Sequence, residues 1–215
     1  MRMRKKKNLP QRMEKASGVL IKTPEELCGK WRETFPGYQS LYVELGCGKG
    51  TFTSGTAAAI PEAFLVAVEK VPDAMIMAME KAVAAELTNV RFIDMDAVKI
   101  NEVFADGELD RIYINFCDPW PGKKHAKRRL TAPGFLELYK KALKPGGEIH
   151  FKTDNRPLFE YSLEQFTECG WQLSEVTGNL HENGPVGIMT DYEAKFHAEG
   201  VPINRCVAKK PEAAE

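Results

Sequence analysis

No Cys-x-x-Cys pair occurs among Cys28, Cys47, Cys117, Cys169 and Cys206, and their number is odd. A disulfide scaffold and a cysteine zinc centre are therefore not expected, and nothing calls for a metal. No apolar run approaches the roughly eighteen residues that a membrane helix requires, so no membrane partner is expected. Basic residues open the chain without an apolar stretch behind them, which argues against a secretory leader. These absences point to a reducing, cytoplasmic setting. Internal repeats are lacking too. So is net charge: 30 basic residues meet 30 acidic ones, and the total argues neither for nor against a polyanionic partner.

What is present has an ordinary globular composition, with 43% hydrophobic and 28% charged residues in a chain of 215, enough for one α/β domain. The charge, however, is unevenly placed. Residues 1–15 hold Arg2, Arg4, Lys5, Lys6, Lys7, Arg12 and Lys15 against Glu14 alone, and read as a mobile basic arm. A second cluster holds Lys123, Lys124, His125, Lys127, Arg128 and Arg129. Concentrated basic patches attract a polyanion locally even on a neutral protein. The expected division is a basic arm and short helical lead-in over 1–37, then a single domain over 38–215 with an insert near 178–200.

From residue 40 onward strand and helix patterns alternate. Apolar runs predict strands at 40–45, 64–69, 90–93, 109–116, 148–152, 171–176 and 204–208. Between them, helices are expected at 52–60, 73–87, 131–143 and 157–168. Alternation with short joins predicts an α/β fold, a mostly parallel seven-stranded sheet with helices on both faces. Ligands then gather beyond the carboxyl ends of the strands.

The first such end reads Glu44-Leu45-Gly46-Cys47-Gly48-Lys49-Gly50. The spacing is GxGxG, not the GxGxxG of a dinucleotide site, and no Lys-Ser or Lys-Thr follows to make a P-loop. An acid two residues ahead of the glycines would repel a pyrophosphate. It suits S-adenosylmethionine, which carries a sulfonium and an ammonium but no phosphate. Gly46, Gly48 and Gly50 allow close approach. Glu69 ends the second strand and can accept both ribose hydroxyls. Asp96 follows the third and can meet the adenine amino group, with Asp94 as its competitor.

The fourth strand runs into Asp118-Pro119-Trp120-Pro121-Gly122, stiffened by two prolines. Trp120 either stacks on a base or covers the sheet edge. The basic run directly after this acid suits RNA held by its phosphates with one base turned inward. Asp154 ends the fifth strand. Beyond an expected loop at 178–187 come Thr190, Asp191, Tyr192 and Glu193, where Asp154 and Glu193 can accept the N1–H and amino donors of guanine. The same four residues also fit a capping box in which Thr190 serves Glu193. His150 reads as packed, and His181 and His197 show no metal-ligand pattern.

The stretches VELGCGKG at 43–50, FCDPWPGKKHAKRRLT at 116–131, KTDN at 152–155 and TDYEAKF at 190–196 together resemble the bacterial tRNA (guanine-N7-)-methyltransferase family, in order from about residue 38 to residue 209. The resemblance implies a Rossmann-like class I fold, S-adenosylmethionine as donor with S-adenosylhomocysteine as product, and methylation of N7 of guanosine 46 in the tRNA variable loop. It implies that Glu44, Glu69, Asp96 and Asp118 contact the cofactor, that Asp118 is catalytic, and that Asp154 and Thr190 to Glu193 bind substrate. The 124–129 run becomes an RNA-interacting stretch. Family members include monomers and homodimers. Many carry Lys where this chain has Gly122: either Lys123 or Lys124 reaches the same phosphate or base, or substrate affinity rests on other contacts. Rival readings are a methyltransferase for an exocyclic base amine, a small-molecule methyltransferase, and an RNA-binding protein without activity.

Overall fold

The computed structural model describes residues 6–211. Its elements are α1 (Leu9–Lys15), α2 (Trp31–Thr34), β1 (Ser40–Leu45), α3 (Thr51–Ala59), β2 (Ala63–Val68), α4 (Pro72–Ala84), β3 (Val90–Ile93), α5 (Ile100–Val103), β4 (Leu109–Asn115), α6 (Pro133–Ala142), β5 (Leu143–Thr153), α7 (Arg156–Glu168), β6 (Gln172–Thr177), α8 (Asp191–Ala198) and β7 (Asn204–Lys209). The seven strands form one sheet in the order β3-β2-β1-β4-β5-β7-β6. All neighbours are parallel except β5–β7 and β6–β7. The order reverses between β1 and β4, so the crevice of an open α/β sheet lies above those two strand ends.

Strand alternation sorts the residues of β1 onto two faces. Leu41, Val43 and Leu45 join the core that includes Trp31, Leu136 and Phe159. Tyr42 and Glu44 face the other way, toward Phe52 and Met75 of the second core. Glu44 thus enters an apolar layer because of its register. Register also carries polarity across the sheet: Glu44 pairs with Tyr113 on β4, and Asn115, two residues on, pairs with Lys152 of β5. Three polar side chains therefore form a row on one face at the carboxyl edge.

Two expectations need correction. The basic arm is ordered from residue 6. Leu9 and Met13, one helical turn apart, pack against the α4 side of the core, and Arg12 forks onto Glu80 of α4 through Nε at 2.7 Å and Nη2 at 2.5 Å. The density of charge masked this short apolar edge; Arg2, Arg4 and Lys5 lie outside the described residues. The fourth strand stops at Asn115: the Phe116 amide still donates to the Lys152 carbonyl at 2.9 Å, but its φ of 53° turns the chain out of the strand. Ahead of the sheet, Leu20 bridges in parallel to Phe92, and the Ile21 amide donates to the Phe92 carbonyl at 2.9 Å.

Candidate active site

The turn after β1 is held to β2. The Gly46 and Cys47 amides both donate to the Val68 carbonyl at 2.9 Å, and the Gly48 amide donates to Glu69 Oε2 at 2.9 Å. Gly50 has φ 76°, and a Cβ there would lie 2.4 Å from Cβ of Ala78, so backbone meets helix α4 with no room for a side chain. Helix α3 starts with no side-chain cap. Its first-turn amides form a partly positive end that favours an anionic group, such as a carboxylate.

Glu44 is 1% exposed, with Oε2 accepting from Thr53 Oγ1 at 2.5 Å and Oε1 accepting from Asn115 Nδ2 at 3.2 Å. Burial pushes its carboxyl up to about 7, against the pull of those two donors. Glu69 accepts from three amides, those of Gly48, Lys70 and Val71. Asp96 caps the short turn 97–99 through the Val98 amide and pairs with Lys70 at 2.6 Å, which holds its carboxyl below the usual range. Asp94 is exposed. The groups around the turn are carboxylates, amides and hydroxyls together with three lysines: Lys49 is exposed, Lys70 is paired with Asp96 and Lys81 donates to Thr51, while the buried Lys152 is paired with Glu193. That donor set fits a cationic nucleoside without phosphates.

The next strand end, after β4, carries the 116–122 loop. Phe116 and Trp120 both hold positive φ, 53° and 42°. Strain of this kind persists only where surroundings fix it. Phe116 is held by its amide on the Lys152 carbonyl at 2.9 Å; at Trp120 Arg129 does the holding, donating through Nε to the Pro119 carbonyl at 3.1 Å and through Nη2 to that of Trp120 at 3.2 Å, with its guanidinium 4.2 Å from the Tyr161 ring centre. Arg129, expected on the RNA track, is thus occupied as a brace. Arg128 lies 4.9 Å over the Trp120 ring. Lys123, Lys124, Lys127 and Arg128 are exposed on a 3-10 turn, and His125 is half-buried there. Asp118 is exposed, and its carboxylate accepts no hydrogen bond among the described residues; the same is true of the half-buried Asp154 beyond β5.

The segment between β6 and β7 folds back over α3. Thr190 and Glu193 form the capping box that opens α8. Asp191 accepts from Thr51 Oγ1 at 2.8 Å, and Tyr192 is 61% exposed, stacked on Phe196, which in turn stacks on Phe116. Glu193 is fully buried. Its Oε2 receives Lys152 Nζ at 2.6 Å and the Thr190 amide at 3.2 Å, and its Oε1 meets His181 Nε2 at 3.1 Å. Because His181 Nδ1 accepts from the Val186 amide at 3.1 Å, the ring proton belongs on Nε2, donating to Glu193. Glu193, expected to read guanine, has its acceptors filled from within the protein in this conformation. Removing either member of the Lys152–Glu193 pair would strand a buried charge, at a cost of roughly 3–5 kcal/mol.

Sequence reasoning missed Thr53, Asn115, Lys152 and His181. The first three had a signal: polar residues inside apolar elements, on the Glu44 face once register is drawn. His181 had none, since its partners come from a loop with no regular pattern.

Residues 38–206 match the family described as "Putative methyltransferase". The chain is 45% identical over 210 residues to the tRNA (guanine-N(7)-)-methyltransferase of Listeria monocytogenes serotype 4b, an alignment covering 97% of this chain and 98% of that one. With the protein of the same name from Lactococcus lactis subsp. cremoris it shares 42% identity over 212 residues, again 97% and 98% of the two chains. Among solved structures, the 16S rRNA methyltransferase KamB superposes with a TM-score of 0.65 at 15% identity, over 86% of this chain and 94% of that one. A mutant 16S rRNA (adenine(1408)-N(1))-methyltransferase from Catenulisporales acidiphilia, solved with its cosubstrate SAM, gives 0.61 at 16% identity, over 89% and 93%. At such identity the likeness concerns the fold alone.

Proposed function

The chain belongs to the tRNA (guanine-N(7)-)-methyltransferase family, and on that premise we propose that it moves the methyl group of S-adenosylmethionine onto N7 of guanosine 46 in the tRNA variable loop, releasing S-adenosylhomocysteine. When bound, the donor supplies an electrophilic methyl on a sulfonium. Guanine N7 carries a lone pair and no proton, so the residues need no strong general base and no metal. Their work is to hold nucleophile and methyl carbon in line at about 3–3.5 Å.

The Gly46–Gly50 turn would hold the cofactor. Glu44 would lie beneath it as an acid whose ionised form a cationic donor favours, Glu69 and Asp96 would offer carboxylates to the ribose and the base, and the uncapped start of α3 would suit its carboxylate. Asp118, on the adjacent strand end, stabilises the positive charge that develops on the methylated purine, or fixes the guanine amino group. Lys123, Lys124, Lys127 and Arg128 hold phosphates. Asp154 and Tyr192 are the free groups left to meet the base.

One observation carries this assignment: an exposed carboxylate without a hydrogen-bond partner among the described residues, Asp118, stands at the strand end next to a carboxylate-lined glycine turn. The test is transfer of labelled methyl groups to an unmodified tRNA transcript, followed by mapping of the labelled nucleotide. Label at N7 of guanosine 46 is expected. Label on an exocyclic amine, or none on RNA, would overturn the reading.

A further inference from the structure

Lys152 takes no part in the chemistry assigned above, yet it is 7% exposed and joins the two halves of the site. Its Nζ donates to Glu193 Oε2 at 2.6 Å and to the Ile188 carbonyl at 3.2 Å, and sits 5.0 Å from the centre of the Phe52 ring. Phe52 belongs to the first turn of α3, directly after the glycines. Glu44 draws on the same ammonium electrostatically. One compact cation with three donors therefore touches the helix that leaves the cofactor turn, the chain before α8, and the first turn of α8 itself.

Two further contacts tie the same pieces together. Thr51 Oγ1 donates to Asp191, and Ile188 Cγ2 fills the space 2.8 Å from where a Cβ on Gly55 would stand. Residues 178–190 contribute no strand or α-helix. One end is held by the Leu180 amide on the Ile203 carbonyl at 2.8 Å and by buried His181 on Glu193; toward Ile188 the placement rests on these side-chain contacts instead of on a ladder, which makes that end the more readily released.

We infer that Lys152 is a positioning residue that couples the cofactor turn to the substrate segment: an occupied turn holds α3, and through Lys152 it holds Ile188 to Glu193 where guanosine is received. Coupling of this kind is reciprocal, so tRNA tightens cofactor binding by the same factor as cofactor tightens tRNA binding. The inference rests on the proposed assignment of these two pieces to cofactor and guanosine.

The test uses the full chain, with S-adenosylhomocysteine as calorimetric probe in the presence and absence of saturating unmodified tRNA transcript, beside steady-state methyl transfer. The wild-type protein is expected to bind the probe at least about fivefold more tightly with tRNA. In Lys152→Met that ratio falls to about one and KM for tRNA rises about tenfold, while kcat at saturating tRNA stays within about threefold. Lys152→Arg, which keeps the charge, recovers part of the ratio. A folded Lys152→Met protein with the wild-type ratio, or one whose loss lies in kcat alone, overturns the inference. If Lys152→Met does not fold, the double variant Lys152→Met/Glu193→Gln removes the stranded charge: recovered melting temperature with the ratio still near one supports the coupling, and a recovered ratio overturns it. Failure of the wild-type protein to bind the probe would instead overturn the cofactor assignment itself.

Discussion

At the cofactor turn Glu44, Glu69 and Asp96 already have donors, whereas Asp118 and Asp154, on the two strand ends that follow in the sheet, accept none among the described residues. Glu44, Glu69 and Asp96 are set by strand register and by turn amides, so their geometry is established when the sheet forms. Asp118 sits on a loop braced by Arg129, and on the proposed assignment both acids of the substrate end would take their donors from the RNA. A preorganised cradle suits a small ligand of constant shape; free acceptors on a stiff loop suit one base presented by a large, flexible partner.

The contrast can be broken in four places. The largest effect is expected at Asp118. Asp118→Asn should leave the melting temperature unchanged, because the group is exposed, and should slow single-turnover transfer at saturating tRNA and cofactor by about 10²–10³-fold. A near-normal chemical rate would remove Asp118 from the catalytic role. Next is Gly50→Ala, where φ 76° and the close backing of Ala78 leave no relief. It should lower stability by roughly 2–3 kcal/mol in denaturant unfolding and weaken cofactor binding. Unchanged stability would mean that the turn gives way more easily than its packing suggests.

Third, replacing Lys123, Lys124, Lys127 and Arg128 together by Ala should weaken tRNA binding about tenfold or more and flatten its salt dependence by roughly 0.7–0.9 for each phosphate that is no longer neutralised. Calorimetric affinity for S-adenosylhomocysteine should not move. If it does, the cofactor end and the RNA track are not separable.

The fourth place is a pH slope. The carboxyl of Glu44 titrates near 4.5 when unfolded and about 7 when buried, so the folded state holds the proton more tightly. Its contribution favours folding most below pH 4.5, declines as pH rises toward 7, and is flat above that. Glu44→Gln should remove this slope and raise the melting temperature at neutral pH, while weakening cofactor binding. His150 acts with the opposite sign: burial lowers it from 6.5 to about 4, so stability is lost as pH falls through that window. The difference between Glu44→Gln and wild-type melting curves therefore isolates the Glu44 slope. A difference that does not vary between pH 4.5 and 7 would mean that Glu44 stays ionised on folding.

Much of this was legible in the residues themselves. The seven strands follow from apolar runs, and the glycine turn and the Asp118 loop follow from their positions after two of them. What could not be read was the wiring. Glu193 looked like a base reader because a carboxylate near a basic track has that chemistry; only the fold brings Lys152 of β5 and His181 of the loop against it, from 41 and 12 residues away. Arg129 looked like its neighbours in the basic run, and its backward reach to Pro119 and Trp120 depends on a loop conformation that no local pattern encodes. The docking of α1 rests on two apolar residues among many charges.

The bridge from Leu20 to Phe92 has a consequence outside the active site. Strand β3 is the outermost parallel strand, and an open flank there would invite pairing with another molecule. The lead-in peptide lies across that flank and occupies the Phe92 carbonyl. An uncovered, apolar flank is a template for aggregation. A chain trimmed to begin at residue 38 would keep all seven strands and the glycine turn, yet it is expected to be recovered as aggregate: the same peptide that steadies α4 also guards solubility.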